Sequence, residues 1–203
     1  MKMALWPRAG PGCHDRAMVG RPPELIIVDG VTLRRHGPSD VAGLVAAVNQ
    51  SADHLRPWMP WAAQPATADS MTAFVTGAVA DFDSGRTFGY ALVDPREQTI
   101  IGGCGLHTRR GSGALEIGYW VHRHWTRRGI ASAAAGALTD AAFALDGVHR
   151  VEIRCDETNV ASAGVPRRLG YRLESVVSRA PEAPGESGRE MLWVATGSPA
   201  PGK

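Results

Sequence analysis

The sequence predicts one α+β domain in which strands and helices are mixed along the chain, with a single α/β crossover late in it. Two observations lead to this prediction. The 203 residues suffice for one domain with a substantial core and are too few for two large ones. Segments with strand-type alternation and segments with helical spacing follow one another without any internal repeat.

The first half of the chain carries most of the predicted strands. Residues 24–35 contain two short strands on either side of an Asp-Gly pair, a typical hairpin turn. Apolar residues at helical spacing predict a helix over 40–50, with Asp40 as its N-cap, and a second helix over 67–82. Three consecutive strands are then expected over 87–93, 99–107 and 114–122.

The second half contains the crossover. An alanine-rich helix is predicted over 130–145, and Gly170 ends a shorter helix over 159–169. Strands are expected over 150–155, 171–178 and 190–195. The Gly- and Pro-rich ends lack periodicity, which predicts the following organisation: a flexible N-terminal tail over 1–23, one domain over 24–196, and a flexible C-terminal tail over 197–203.

Composition narrows the class of protein. The formal net charge of +2 gives no argument for a nucleic-acid partner. Three cysteines, none in a CxxC pair, disfavour a disulfide framework or a cysteine zinc site and suit a reducing cytoplasm. No apolar run approaches the ~18 residues that a membrane span needs. Pro7 and Gly10 interrupt the first apolar stretch, so we predict no signal peptide and a cytoplasmic location without membrane partners.

The most informative segment is 115–135. Its strand is expected to end near His122, and a loop containing Arg127, Arg128 and Gly129 leads into the alanine-rich helix. A helix N-terminus offers unpaired N–H groups and positive dipole character, which suit an anion and a pyrophosphate in particular. On these features alone, a merely solvated basic loop is the alternative.

Two motifs in this half make the prediction specific. The segment LEIGYWVHRHWTRRGIASAA, followed by RVEIRCDETNVASAGVPRRLGYRL, resembles the GNAT superfamily, and within it the ribosomal-protein N-terminal acetyltransferases of the RimJ/RimL type. The resemblance covers roughly residues 24–195 and is strongest over 114–173. It implies a single GNAT-type domain whose central sheet is mixed, mostly antiparallel and twisted, with about seven strands flanked by helices. It also implies a splayed strand pair, 114–122 and 150–155, with coenzyme A between the strands.

The resemblance further implies the activity: an acetyl group passes from acetyl-CoA to an amine by direct attack in a ternary complex. The pyrophosphate would lie on a turn that here runs from Thr126 to Ala131, with Thr126 where the family has Gln or Arg. The implied cofactor-binding residues are Tyr119, Trp120, Val121, Arg127, Arg128, Gly129, Ile130, Ala131, Ser132, Asn159 and Ser162.

A catalytic acid is implied by the Asn-x-x-Ser motif. In the resemblance, Asn159 contacts the cofactor arm and Ser162 protonates the departing thiolate. From the residues alone, Asn159 as a helix N-cap with Ser162 idle in the first turn is the alternative. Pro166 cannot donate to the Ser162 carbonyl, so a free carbonyl or a kink is expected beside the candidate acid.

The candidate base and the acceptor residues are less sharply defined. A glutamate in a largely buried strand is costly unless it is paired or used, so Glu116 is either the general base or half of a structural ion pair with an arginine. Glu182 lies beside the position at which some RimL-type proteins carry a second glutamate. Trp58 and Trp61 are either a mobile acceptor wall or ordinary core residues.

The acceptor is inferred from acidity. A protein α-amine has a pKa of about 7.7–8 and a lysine amine about 10.4, so the absence of an evident strong base favours an α-amine. The expected partner is a peptide or protein N-terminus, with a ribosomal protein as one option. A lysine, an antibiotic-like small amine and a non-catalytic CoA-binding sensor are the alternatives, and a homodimer is left open.

Two other chemistries are disfavoured. His122 and His124 are two residues apart, but a third ligand such as His107 would come from another strand, so no metal is expected. Cys155 as a nucleophile would need a base, and His149 is near it only in sequence.

Overall fold

The order of elements follows the predicted one closely. The computed structural model describes residues 20–28, 30–108 and 113–197, so the predicted tails and Asp29 of the hairpin turn lie almost wholly outside the described residues. The strands are β1 Leu25–Val28, β2 Val31–Arg35, β3 Thr87–Val93, β4 Ile100–His107, β5 Ala114–Val121, β6 Arg150–Asp156, β7 Arg172–Ser178 and β8 Arg189–Thr196. The α-helices are α1 Val41–Gln50, α2 Ala52–Leu55, α3 Ala68–Asp83, α4 Ile130–Phe143 and α5 Val160–Arg168.

All eight strands form one sheet in the order β1-β2-β3-β4-β5-β6-β8-β7. Neighbouring strands run antiparallel except β5 and β6, which run parallel. The mixed, mostly antiparallel α+β fold is therefore confirmed. The sheet has eight strands rather than about seven because both arms of the N-terminal hairpin join it: Leu25 pairs with Arg34, and Thr32 with Val93.

The parallel pair is registered at one end only. Ala114 pairs with Arg150 and Glu116 with Glu152, and no further pair joins the two strands, although β5 continues to Val121. On its other side β5 stays paired with β4 from Glu116 to Val121. Strands that run in parallel with a short ladder must separate beyond it, so a gap opens between the carboxyl-terminal halves of β5 and β6. This is the splayed strand pair.

Alternation along β5 divides its side chains between two cores. Leu115 and Ile117 belong to the core beneath α4, whereas Trp120 belongs to a second core formed with α1 and α3. The indole of Trp120 lies against β4, where a Cβ on Gly103 would come 2.7 Å from Trp120 Nε1. Glycine in β4 therefore lets the sheet accommodate this ring.

The alanine-rich helix α4 packs closely on the sheet. Ala134, Ala135, Leu138 and Ala142 are fully buried on one face of the helix. Side chains this small bring a helix axis near the strands, and the start of α4 is thereby fixed at the end of β5. Among the described residues, no helix is both long and apolar enough to cross a membrane.

One capping prediction needs correction. Asp40 lies at the N-cap position of α1, but its side chain makes no capping bond to that helix. It instead accepts from the Gly37 amide at 2.9 Å and forms an ion pair with Arg34 at 2.5 Å. His36 adds a third partner at 3.3 Å, and these bonds lower the pKa of Asp40 to about 2 even though burial opposes this. The Asp40 side chain thus caps the short turn that begins at Gly37 and pairs with Arg34 of β2 instead of capping α1.

Candidate active site

A cleft of about 350 Å³ lies at the gap between β5 and β6. The two splayed strands supply part of its lining, from Glu116 to Tyr119 and from Arg154 to Asp156. The segment from Trp58 to Trp61 forms another part, and α5 contributes Asn159 and Ser162. The loop before β8 supplies Arg179, Glu182 and Glu186 to the lining, and β8 itself supplies Glu190. The predicted catalytic and acceptor residues are thus brought together in one cavity.

The predicted pyrophosphate turn lies outside this lining, between the end of β5 and the start of α4. Gly129 is the N-cap of α4 with φ 78°, and Arg127 is also left-handed with φ 62°. A left-handed arginine is uncommon, and such strain gathers at functional sites. The left-handed turn therefore leads directly into the N-terminal end of α4, which is where an anion site is expected.

Side chains around the turn are already engaged. The Thr126 hydroxyl donates to the Arg123 carbonyl at 3.0 Å, and the Arg128 guanidinium lies 4.6 Å from the centre of the Trp125 ring. Arg168 of α5 donates to Ser132 Oγ at 3.1 Å. Because Thr126 is used locally, an anion at this turn would be bound mainly by backbone amides and by the charge of the neighbouring arginines.

Hydrogen bonds hold the main chain of Ser162 at both its amide and its carbonyl. Its amide donates to Asn159 Oδ1 at 3.1 Å, which makes Asn159 the side-chain N-cap of α5. The Tyr119 hydroxyl donates to the Ser162 carbonyl at 3.0 Å and lies 3.1 Å from Ser162 Oγ. The carbonyl that Pro166 leaves without its helical partner has therefore found one across the cleft.

Glu116 is both in the cleft and paired. Its Oε2 lies 3.6 Å from Nε of Arg154, which also contacts Glu152 at 2.8 Å and Glu190 at 3.1 Å. Burial alone would lower the pKa of Arg154, but these carboxylates raise it, so the guanidinium stays charged. Glu116 thus meets the requirement of an ion pair and at the same time faces the cavity, where a base would act.

The acceptor side is made of aromatic and acidic groups. Trp61 packs edge-on against Trp120 with ring centroids 6.0 Å apart, so it serves the core as well as the cleft wall. The loop carrying Glu182 is held by Asp156, whose carboxylate accepts from Thr158, Ser187 and the Gly188 amide. Burial raises the pKa of this carboxyl, but the bonds outweigh it and hold the pKa well below its usual range.

Two predicted cofactor residues do not present their side chains to the cleft. Trp120 and Val121 are buried in the two cores, so only their main chain faces the gap. Sequence reasoning missed several charged residues of the lining: Arg154, Asp156, Arg179, Glu186 and Glu190. Arg154 and Asp156 lie in the carboxyl-terminal half of the splayed strand β6, which was the one signal that pointed to them. Glu190 lies in β8, and Arg179 and Glu186 come from the Pro- and Gly-rich loop before it.

The disfavoured chemistries find no support in the geometry. His122 Nδ1 accepts from the His124 amide at 3.2 Å, so its Nε2 carries the proton toward Gln50 Oε1 at 3.1 Å. Burial, then the charges of nearby residues, lowers the pKa of His122, which keeps this ring neutral. Burial raises the pKa of Cys155 to about 11, unlike that of a cysteine nucleophile. No metal-type group of three or more His, Cys, Asp or Glu occurs in the described part of the chain.

Fold and sequence together define the family. Residues 31–172 match the acetyltransferase (GNAT) domain, and the chain belongs to that family. It is accordingly an acyltransferase that uses acetyl-CoA as its co-substrate.

Several known proteins are similar to this chain. The "Putative ribosomal N-acetyltransferase YdaF" of Bacillus subtilis strain 168 is 28% identical over 149 residues, which cover 71% of this chain and 79% of that protein. Mycobacterium smegmatis RimJ, solved in complex with CoA-disulfide, is 26% identical with a TM-score of 0.73, covering 82% of this chain and 81% of RimJ.

A solved RimL, described as a ribosomal L7/L12 α-N-protein acetyltransferase in complex with coenzyme A, has the same fold. Its TM-score is 0.77 at 21% identity, with 85% of this chain and 98% of RimL covered.

Proposed function

We propose that this protein acetylates the N-terminal α-amine of a peptide or protein, with a ribosomal protein as one candidate substrate. The observation that carries the proposal is the composition of the cleft. Five carboxylates line it, from Glu116, Asp156, Glu182, Glu186 and Glu190, against the two guanidiniums of Arg154 and Arg179. A surplus of carboxylates attracts a protonated amine, and the aromatic wall of Trp58 and Trp61 suits a peptide chain.

Acetyl-CoA would enter from the opposite side. Its pyrophosphate would bind the turn from Arg127 to Ser132 through backbone amides, and its pantetheine arm would lie along the main chain of Tyr119–Val121, which β6 does not cover. Asn159 would contact the same arm. The thioester would then lie beside Ser162 at the meeting point of the two substrates.

The reaction follows as a direct transfer. The neutral amine attacks the thioester carbonyl carbon, a C–N bond forms and the C–S bond breaks. The amine proton passes to Glu116, directly or through water, and the thiolate takes a proton from Ser162. No acetyl-enzyme is needed, and Cys155, with its raised pKa, is not primed to form one.

The α-amine is favoured because of its acidity. At neutral pH an amine of pKa about 8 has on the order of a hundredfold more neutral form than one of pKa about 10.4. The description of RimL as a ribosomal L7/L12 α-N-protein acetyltransferase supports a protein N-terminus as well. A homodimer and a cytoplasmic location stay predictions.

A matched pair of peptides tests this assignment. The first has a free N-terminus and no lysine; the second is the same peptide with a blocked N-terminus and one internal lysine. Release of the CoA thiol at pH 7 is expected to be at least tenfold faster with the first, because more of its amine is neutral. Faster turnover of the lysine peptide would contradict the proposal and favour a lysine acceptor.

The Glu116→Gln variant extends the same assay. If Glu116 accepts the amine proton, its defect should be largest at low pH and shrink above pH about 8, where the amine is already neutral. A defect that does not change with pH and comes with a lower Tm would assign Glu116 to the ion pair with Arg154 alone.

A further inference from the structure

The hydroxyl of Tyr119 is placed where α5 is defective. In an α-helix the Ser162 carbonyl would accept from the amide four residues later, but that residue is Pro166, which has no N–H. The missing bond is replaced from outside the helix by the Tyr119 hydroxyl, which donates to this carbonyl at 3.0 Å. A side chain of β5 therefore completes the backbone of α5 next to the candidate acid.

This bond decides where the serine proton points. A tyrosine hydroxyl has one proton, and a carbonyl can only accept. With the proton of Tyr119 committed to the carbonyl, its oxygen is left as the acceptor for Ser162 Oγ, 3.1 Å away. The Ser162 hydroxyl is thereby held in one orientation across the gap between β5 and α5.

We propose that Tyr119 is the positioning residue of Ser162: its hydroxyl completes the helix at Pro166 and, by accepting from the resting serine hydroxyl, holds Ser162 Oγ in place for proton transfer to the thiolate. The inference rests on the proposed role of Ser162. Sequence patterns assign Tyr119 to the cofactor contacts, and nothing in them gives its hydroxyl a part in the proton transfer.

The proton transfer balances with Tyr119 remaining a phenol. As the C–S bond breaks, the Ser162 hydroxyl turns from the Tyr119 oxygen to the sulfur, the Ser162 O–H bond breaks and an S–H bond forms on coenzyme A. The Tyr119 O–H turns from the carbonyl to the serine oxygen and stabilises the negative charge there by a hydrogen bond. Water then returns a proton to Ser162. Because burial raises the pKa of Tyr119, its own proton stays in place throughout.

Two substitutions can separate the two roles of the Tyr119 hydroxyl, which are its bond to the Ser162 carbonyl and its bond to Ser162 Oγ. Tyr119→Phe removes both bonds and keeps the ring. Adding Pro166→Ala to that variant supplies a backbone N–H for the Ser162 carbonyl but does not restore the Tyr119 partner of Ser162 Oγ. Tyr171→Phe is the matched control, since it removes the hydroxyl of a buried tyrosine that lies 2.6 Å from Thr139 Oγ1, away from the cleft.

The test measures kcat, KM for acetyl-CoA and Tm for these variants and for Ser162→Ala. Tyr119→Phe is expected to lower kcat about tenfold or more with little change in KM, whereas Tyr171→Phe keeps the wild-type kcat. Pro166→Ala in the Tyr119→Phe background is expected to restore Tm without restoring kcat. The double variant of Tyr119→Phe and Ser162→Ala should be no slower than Ser162→Ala, because both act through one hydroxyl.

Opposite results would overturn the proposal. If adding Pro166→Ala to Tyr119→Phe restored kcat together with Tm, the only role of the Tyr119 hydroxyl would be to complete the helix. A double variant whose loss is the product of the two single losses would show that Tyr119 acts independently of Ser162. A wild-type kcat in Ser162→Ala would instead remove the acid assignment itself, and a wild-type kcat in Tyr119→Phe alone would leave that assignment intact.

Discussion

Replacement of Ser162 by alanine is expected to lower kcat by about 10²–10⁴-fold, the usual contribution of a general acid. KM for acetyl-CoA should change little, because the serine hydroxyl gives its proton only as the thiolate forms. The structure indicates that this substitution leaves the backbone in place. Asn159 and Tyr119 bind the amide and the carbonyl of Ser162, and neither of these two hydrogen bonds involves the serine hydroxyl. The measurement is steady-state kinetics with one free-amine peptide.

Ser178→Ala is a suitable control for this variant, since Ser178 is an exposed serine on the edge strand β7. Its kinetics should match the wild type. A Ser162→Ala enzyme with nearly wild-type kcat would return Ser162 to the role of an ordinary residue in the first turn of α5. A variant that lost acetyl-CoA affinity instead of kcat would move Ser162 from the acid to the cofactor contacts.

The second large effect is expected at the turn before α4. Gly129→Glu should raise the Kd for acetyl-CoA by more than about tenfold. The new carboxylate would lie close to the negatively charged pyrophosphate, and the repulsion between them would weaken binding. A Cβ at this position would meet no atom within 4 Å, so the new side chain has room, although φ 78° strains any residue other than glycine.

Gly129→Gln separates charge from strain, since its side chain has the same size and the same backbone cost without the charge. Titration calorimetry should show a smaller loss for Gly129→Gln than for Gly129→Glu, and the difference should shrink as salt is added. Equal losses in the two variants would attribute the effect to strain alone. Undiminished affinity of Gly129→Glu would place the pyrophosphate elsewhere.

Most of the fold could be predicted from the sequence, because strands, helices and caps depend on patterns among neighbouring residues. Alternation along β5 places Leu115 and Ile117 on one face and Trp120 on the other, and each face packs in its own core. The Asn159 cap and the small face of α4 were likewise readable, because caps and helical spacing involve residues a few positions apart. Asp40 shows the limit of such signals, since its side chain bonds to Gly37 and Arg34 instead of capping α1.

Only part of the candidate site could be predicted from the sequence, for the same reason. Ser162, Glu116 and Asn159 lie in or next to regular elements with recognisable motifs, and the structure brings them into one cleft. Arg179 and Glu186 come from a loop without periodicity, and their place depends on contacts that the chain makes only when folded. The Tyr119 bond to the Ser162 carbonyl joins residues 43 positions apart, so Pro166 predicted a free carbonyl but could not identify its partner.

The central claim is that this cleft passes acetyl directly from acetyl-CoA to an amine held beside it. Initial rates with acetyl-CoA and a free-amine peptide varied together test the claim most directly. The account predicts double-reciprocal lines that intersect, since both substrates must be bound before transfer. Parallel lines would reveal an acetyl-enzyme and contradict direct attack. Thiol release no faster than without the enzyme, despite bound acetyl-CoA, would show a non-catalytic CoA-binding protein.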